Sequence, residues 1–261
     1  MGLNYKSFGD GEPIIVLHGL FGMLDNWQSF GKALSKKYQV FIIDQRNHGK
    51  SIHSEDFSYT LLAEDLKSFM EEMGLTSAHI LGHSMGGKTA MTFASQYPEF
   101  VKSLIVVDIA PKKYHGGHQA IFDAILSIDI GNVKARKEVN EQLNLSIPND
   151  GVRLFLMKNL TRHPEGGYRW KANFKVLHQR YDTIMGSDGM EVFNKQTLFV
   201  KGGQSDYILS EDETEIMRLF PFAKIMEVDG AGHWVHAEKP KELLTIVMTF
   251  LASQDGIMTG A

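Results

Sequence analysis

A serine flanked by two glycines is the feature of this sequence best suited to chemistry. Gly82-His-Ser84-Met-Gly86 follows a short apolar run, residues 78–81, and precedes a stretch with helical character. This G-x-S-x-G pattern is typical of a nucleophile elbow, a strained strand-to-helix turn whose glycines leave room for nearby backbone. The N-terminus of the following helix favours negative charge that develops beside the serine. The pattern therefore predicts that Ser84 is a nucleophile in acyl transfer.

The same residues also match a phosphate-binding loop. Gly82, Gly87, Lys88 and Thr89 satisfy G-x-x-x-x-G-K-[ST], and the apolar run 104–107 ends in Asp108, as a magnesium-holding strand does. A phosphate loop usually follows the first core strand, whereas this one follows the third of the predicted core strands. The phosphate-loop interpretation also gives no role to the segments His18-Gly-Leu and Gly232-His233. A P-loop nucleotide hydrolase is therefore a remote alternative.

A serine nucleophile needs a base and two N–H donors for the oxyanion, and the sequence offers candidates for both. His233, in Gly-Ala-Gly-His-Trp, follows the last predicted strand and is last in chain order, as the base of an elbow serine is. The loop His-Gly-Leu-Phe-Gly, residues 18–22, predicts an oxyanion hole formed by the backbone N–H groups of Leu20 and Met85. We predict structural roles for the remaining nearby histidines, with hydrogen bonds to backbone for His18, His48 and His83 and packing or capping for His236.

Two aspartates are candidates for the acid that orients the base. Asp108 ends the strand next to the one that presents Ser84, and Asp206 follows the next predicted sheet strand in Gly-Gly-Gln-Ser-Asp-Tyr. Either carboxylate can reach His233 in a doubly wound sheet. Topology alone slightly favours Asp206, because the later strand is the common position of the acid.

Apolar, β-branched runs alternate with helical patterns along the chain. The runs predict strands at 13–18, 39–44, 78–82, 103–108, 197–201 and 223–228, with an antiparallel edge strand at 3–8. Their nearly continuous hydrophobicity indicates parallel strands covered on both faces. The alternation predicts an α/β fold with a doubly wound, mostly parallel sheet.

The interval between Asp108 and Thr197 shows no convincing strand, and it is too long for a simple loop. Its helical patterns, at 119–128, 133–145, 152–160 and 172–185, predict a helical cap inserted after the sixth core strand. The predicted division is a core at residues 1–110 and 191–255 and a cap at 111–190. Candidate substrate contacts are Phe155, Leu156, Met157 and Trp170 in the cap, with Leu20, Phe21 and Trp234 beside the donor loop and the base.

Composition limits the classes of function. The 261 residues include no cysteine, which excludes disulfides, cysteine nucleophiles and Cys-based zinc sites and is consistent with the cytoplasm. The net charge is −4 without a basic run, which disfavours a nucleic-acid partner. Neither a signal peptide nor a membrane-spanning run is evident, and we expect no metal or organic cofactor. The oligomeric state is not indicated.

Several motifs together resemble one family. The chain resembles the YbfF-type bacterial esterases of the α/β-hydrolase superfamily in five segments. These are the elbow up to Lys88, Val107-Asp-Ile-Ala-Pro, the loop 202–207, Gly232-His-Trp-Val-His-Ala-Glu-Lys-Pro and Asp44-Gln-Arg-Asn-His-Gly-Lys-Ser. The relatives of these esterases include a mitochondrial α/β-hydrolase-domain protein of animals. The resemblance implies a serine carboxylesterase for short- to medium-chain acyl esters. It also implies that the acid follows the sixth strand, which favours Asp108 over Asp206. Acyl thioesters remain an alternative, because the same triad hydrolyses them.

Overall fold

The computed structural model describes residues 2–187 and 189–254, and within these ranges the chain forms a large α/β sheet structure and a small hairpin. The strands are β1 (Tyr5–Phe8), β2 (Glu12–Leu17), β3 (Tyr38–Ile43), β4 (Ala78–His83), β5 (Val101–Val107), β6 (Leu160–Arg162), β7 (Tyr168–Trp170), β8 (Thr197–Gly202) and β9 (Ala223–Val228). The α-helices are α1 (Gln28–Leu34), α2 (Tyr59–Glu72), α3 (Met85–Gln96), α4 (Gln119–Leu126), α5 (Arg136–Asn144), α6 (Asp150–Met157), α7 (Phe174–Gln179), α8 (Tyr181–Met185), α9 (Glu213–Leu219), α10 (Val235–Glu238) and α11 (Pro240–Gln254).

The main sheet confirms the predicted fold class. Within the described residues, its seven strands lie in the order β1, β3, β2, β4, β5, β8, β9. The edge strand β1 is antiparallel to β3, and the other pairs are parallel. Every strand predicted for the core is present, and β4 lies at the centre. The carboxyl ends of the parallel strands therefore share one edge, where ligands of open α/β sheets bind.

Strand β2 illustrates why these strands have almost continuous apolar sequences. Ile15 and Leu17 pack into the hydrophobic cluster that includes residues of α2, α3 and α9. Ile14 and Val16 pack into a second cluster with residues of α1 and α11. Successive side chains point to opposite faces of a strand, and both faces are covered here.

The inserted region contains one element that the sequence pattern did not predict. Strands β6 and β7 form an antiparallel hairpin, paired from Leu160–Trp170 to Arg162–Tyr168, so the expectation of no strand in this interval is wrong. Three-residue strands are too short to produce a recognisable alternation of apolar and polar residues. The predicted helix 152–160 ends at Met157 because the chain turns into this hairpin, and the predicted helix 172–185 is divided at Arg180 into α7 and α8.

The insertion follows β5, the fifth strand of the chain, and not a sixth strand, because four sheet strands precede β5 within the described residues. Its helices pack around a third hydrophobic cluster. Phe21, Tyr59 and Met85 from the sheet region belong to the same cluster, so the insertion and the core share apolar packing. The boundaries 1–110, 111–190 and 191–255 stay a prediction, and residues 1 and 255 lie outside the described ranges.

Candidate active site

Ser84 occupies a strained turn between β4 and α3. Its φ of 52° lies in the left-handed region that a serine adopts only when its surroundings enforce it. A Cβ added to Gly82 would lie 2.1 Å from the carbonyl oxygen of Gly86, and one added to Gly86 would lie 2.5 Å from that of Leu17. Only glycine fits either position, so the G-x-S-x-G spacing follows from the crowding of backbone around the serine.

Three side chains predicted from the sequence lie in contact at this edge of the sheet. His233 follows β9, and its Nε2 lies 3.0 Å from the Oγ of Ser84. Its Nδ1 lies 2.8 Å from Oδ2 of Asp108, which follows β5. An Nδ1–H that donates to the carboxylate leaves Nε2 free to accept the serine proton. This arrangement matches the order nucleophile, base and orienting acid.

The end of β8 and the loop that follows it supply hydrogen-bond donors to the Asp108 carboxylate. Asp108 is fully buried, and its Oδ1 accepts the backbone N–H of Gly202 at 2.8 Å. Its Oδ2 accepts the hydroxyl of Ser205 in addition to His233. Buried carboxylates need such donors, and the described residues supply Asp108 with three. Asp206 is exposed one residue further along this loop, so the slight topological preference for Asp206 does not agree with the contacts.

Two neighbours fix the ring and the backbone of His233. Tyr207 stacks on the imidazole with ring centroids 3.7 Å apart and planes 15° apart. Burial raises the pKa of Tyr207, so its hydroxyl stays neutral. The Nε2–H of His83 donates to the carbonyl of His233 at 2.8 Å, and burial lowers the pKa of His83 well below its usual value. A neutral His83 therefore holds the backbone of His233 without adding a positive charge beside its ring.

The predicted oxyanion loop lies directly against Ser84. A Cβ added to Gly19 would lie 3.2 Å from the Cβ of Ser84, so the loop approaches the serine as closely as glycine permits. Gly22 N–H donates to the Gly19 carbonyl at 2.9 Å, which closes a tight turn over residues 19–22. Leu20 and Met85 line the same pocket as Ser84, as required of residues whose N–H groups would bind an oxyanion.

Buried histidines hold this loop in place. His18 hydrogen-bonds through Nδ1 to the Gly19 carbonyl at 2.8 Å and through Nε2 to the N–H of Gln45 at 3.0 Å. His48 accepts the N–H of Phe21 through Nε2 at 3.3 Å. Burial lowers the pKa of His18 to about 4 and the pKa of His48 to about 3, so both rings stay neutral, and the Nε2 of each can accept its backbone N–H. The backbone hydrogen bonds predicted for His18, His48 and His83 are present, and His236 packs by stacking on Trp27.

The pocket above Ser84 is mainly apolar and is closed by the inserted region. Of the predicted substrate contacts, Leu20, Phe21, Phe155, Leu156 and Trp234 line it. Trp170 does not, because β7 directs it to a separate surface groove, where it packs edge-on against Phe174 with ring centroids 5.4 Å apart. Met157 is buried in the hydrophobic cluster of the insertion and is also not part of the lining.

The lysine and threonine of the phosphate-loop pattern bind the protein itself. Lys88 Nζ donates to the carbonyls of Met185 at 2.9 Å and Gly186 at 2.5 Å, at the end of α8. Thr89 Oγ1 donates to the carbonyl of Met85 at 3.1 Å. Both side chains are buried, and Lys88 also lies over the ring of Tyr114 at 4.9 Å. These contacts give Lys88 a structural role in attaching the insertion to the core.

The chain belongs to the α/β-hydrolase family, because residues 12–240 match the alpha/beta hydrolase fold over most of its length. Within that family, sn-1-specific diacylglycerol lipase ABHD11 of Mus musculus is 40% identical over 248 residues, which cover 92% of this chain and 80% of that protein. Esterase YbfF of Escherichia coli is 32% identical over 241 residues, which cover 92% and 93%. A solved structure described as a marine microorganism esterase has a TM-score of 0.93 at 44% identity and covers 95% of this chain and 99% of that one.

These relatives confirm the resemblance to YbfF-type esterases and the expectation of a hydrolase. Among residues 2–187 and 189–254, no helix has both the length and the apolar character needed to cross a membrane. The cytoplasmic location and the lack of a nucleic-acid partner stay predictions.

The sequence patterns do not predict the roles of several residues of the site. Ser205 and Tyr207 lie in the loop whose aspartate, Asp206, is the more conspicuous candidate. Asn159 donates to the carbonyl of Phe21, 138 residues away in the chain. Lys88 belongs to the phosphate-loop pattern, but the carbonyls to which it donates lie 97 and 98 residues away. A local pattern does not predict contacts of that kind. The one available signal is the dense run of polar residues in the loop after β8.

Proposed function

We propose that this protein is a serine carboxylesterase with Ser84 as nucleophile, His233 as base and Asp108 as the orienting acid. The observation that carries the proposal is the unbroken chain of contacts from the Asp108 carboxylate through both ring nitrogens of His233 to the Ser84 hydroxyl, at 2.8 and 3.0 Å. Esterase and lipase relatives support the same chemistry.

The proposed reaction transfers the acyl group in two steps. His233 Nε2 takes the Ser84 proton as Oγ attacks the ester carbonyl, and the N–H groups of Leu20 and Met85 stabilise the oxyanion. The intermediate collapses, the alcohol leaves with the proton from His233, and the acyl group stays on Ser84. His233 then takes a proton from water, whose oxygen attacks the acyl-enzyme, and returns that proton to Ser84 as the acid is released.

The proposed substrates are small-molecule esters with short- to medium-chain acyl groups. One side of the pocket is lined by Ile109, Ile121, Ile184 and Met185, which suit an aliphatic chain. Tyr59 and Lys88 also line the pocket and bind the chain around α8, so we expect them to limit the length of this apolar side.

Hydrolysis of p-nitrophenyl esters from acetate to laurate tests the proposed reaction and its chain length. We expect kcat/KM to rise from acetate to a maximum between butanoate and octanoate and to fall at laurate, because longer chains exceed the apolar side of the pocket. The Ser84→Ala variant provides the background rate. Acyl thioesters of matched chain length form a parallel series. A wild-type rate equal to that of Ser84→Ala on both series would contradict the proposed function, and turnover of thioesters alone would replace the carboxylesterase with a thioesterase.

The hydroxyl of Ser205 is expected to help hold the Asp108 carboxylate in place. It donates to the same Asp108 oxygen that accepts His233, so its removal leaves this buried carboxylate with two of the three donors that the described residues supply. In Ser205→Ala we therefore expect kcat for ester hydrolysis to fall by about 10-fold.

The matched control for this variant is Ser205→Thr, which keeps the hydroxyl and should keep the wild-type kcat. Steady-state rates of both variants with one ester check the prediction. A wild-type kcat in Ser205→Ala would contradict the role of this hydroxyl in holding Asp108.

A further inference from the structure

Phe21 lies at the centre of the oxyanion loop in a conformation that requires support. Its φ of 61° is in the left-handed region, where a bulky residue is strained. It is the third residue of the turn from Gly19 to Gly22, directly after Leu20, whose N–H is a proposed oxyanion donor. A strained backbone conformation persists only where surrounding contacts support it, so the direction of the N–H groups in this turn depends on those contacts.

The backbone of Phe21 is bound from two different parts of the molecule. On the core side, its N–H donates to Nε2 of His48 at 3.3 Å. On the side of the insertion, its carbonyl accepts the Nδ2–H of Asn159 at 2.7 Å. The two bonds act on the peptide groups on either side of the Phe21 Cα, so together they fix the φ and ψ angles that the turn needs.

Asn159 is itself held rigidly between α6 and β6. The residue is fully buried, its N–H donates to the carbonyl of Leu156 at 2.9 Å, and its carbonyl accepts the N–H of Lys171 at 2.7 Å. Its Oδ1 is buried without a hydrogen-bond partner among the described residues. A flipped amide would place that oxygen against the carbonyl of Phe21, so only the present orientation of the amide gives that carbonyl a hydrogen-bond donor.

We propose that Asn159 of the insertion is a positioning residue that holds the oxyanion loop in its catalytic conformation. The insertion then contributes to the rate of the chemical step as well as to the shape of the pocket, because the donor direction at Leu20 depends on a side chain that the core does not supply. This inference rests on the proposed esterase function and extends it to the coupling between insertion and core.

The steady-state kinetics of Asn159→Ala and Asn159→Leu test the proposal. We expect kcat to fall about 10-fold with KM nearly unchanged, because a misdirected donor weakens binding of the transition state and not of the ester. The leucine variant keeps the buried volume, so it serves as the measurement if the alanine variant does not fold. Circular dichroism and the melting temperature establish the folded state of each.

The matched control is Asn149→Ala, which also removes an asparagine side chain from the insertion. Asn149 caps the N-terminal end of α6 by accepting the N–H of Val152 at 3.1 Å, whereas Asn159 follows the C-terminal end of that helix. We expect this variant to melt earlier and to retain the wild-type kcat. An equal fall of kcat in Asn149→Ala and Asn159→Ala would attribute the effect to general loosening of the insertion and would overturn the proposal.

A trifluoromethyl ketone inhibitor gives a second readout, because its adduct with serine places an oxyanion in the hole. Its affinity should fall in the Asn159 variants by the same factor as kcat/KM. An unchanged inhibitor affinity, or a loss confined to KM, would overturn the positioning role. Full activity of the Asn159 variants would contradict this inference alone, whereas an inactive wild-type protein would contradict the proposed function.

Discussion

Replacement of Ser84 by alanine is expected to lower kcat for ester hydrolysis by on the order of 10⁶. The Ser84 hydroxyl lies 3.0 Å from His233 Nε2, and without it no acyl-enzyme forms at this position. Rates with a p-nitrophenyl ester give the size of the loss. The melting temperature should not fall, because alanine is smaller and the strained backbone of residue 84 is supported by the elbow.

A fluorophosphonate probe and mass spectrometry of the labelled peptide check the same assignment covalently. The probe should label Ser84 in the wild-type protein and leave Ser84→Ala unlabelled. Ser205→Ala is the matched serine control, because Ser205 lies in the same site and its removal should leave Ser84 labelled. Labelling of the Ser84→Ala protein at another serine, with turnover retained, would assign the nucleophile elsewhere.

Replacement of Asp108 by asparagine is expected to lower kcat by about 10⁴. The donors around this side chain determine which way the new amide points. Gly202 N–H can only donate, so it requires the amide oxygen at the position of Oδ1 and leaves the NH₂ group at the position of Oδ2. The NH₂ group then faces Nδ1 of His233, which must accept, and the ring proton moves to Nε2. A protonated Nε2 cannot take the serine proton.

The matched control for this variant is Asp206→Asn. Asp206 carries the same side chain at the same edge of the sheet, but it is exposed, and the ring nitrogen Nδ1 of His233 is hydrogen-bonded to Asp108 instead. We therefore expect Asp206→Asn to keep the wild-type kcat. Steady-state rates of both variants with one ester decide between the two aspartates. Loss of activity in Asp206→Asn, with Asp108→Asn unaffected, would transfer the role of the acid to Asp206.

The fold was predictable because its strands are buried on both faces. Runs such as residues 13–18 and 103–108 are almost entirely apolar along the sheet strands, so their periodicity and length indicate buried parallel strands. The hairpin of β6 and β7 was not predicted, because a strand of three residues is too short to show the alternation of apolar and polar residues. Its strands are joined by a turn that contains Gly166 and Gly167, both at positive φ.

The candidate nucleophile and base could be proposed from the sequence because each lies in a distinctive local motif. The acid could not be chosen in the same way, because Asp108 and Asp206 follow neighbouring strands and topology permits either. The contacts distinguish them through the backbone N–H of Gly202, at the end of β8, and the hydroxyl of Ser205, in the loop that follows. Both donate to Asp108 although they lie more than 90 residues away in the chain. The role of Asn159 could not be predicted from the sequence either, because its hydrogen-bond partner Phe21 belongs to a distant part of the chain.

The attachment of Lys88 to the end of α8 has a consequence for how substrate reaches Ser84. Hydrogen bonds from a charged donor stabilise a contact by about 1.5–3 kcal/mol each, and Lys88 makes two, while the hydroxyl of Tyr59 adds a third bond to Ile184. We therefore expect this flank of the pocket to stay closed during the proposed reaction. The ester and the products are then expected to pass beside Phe155 and Trp234, whose rings are tilted with centroids 6.1 Å apart.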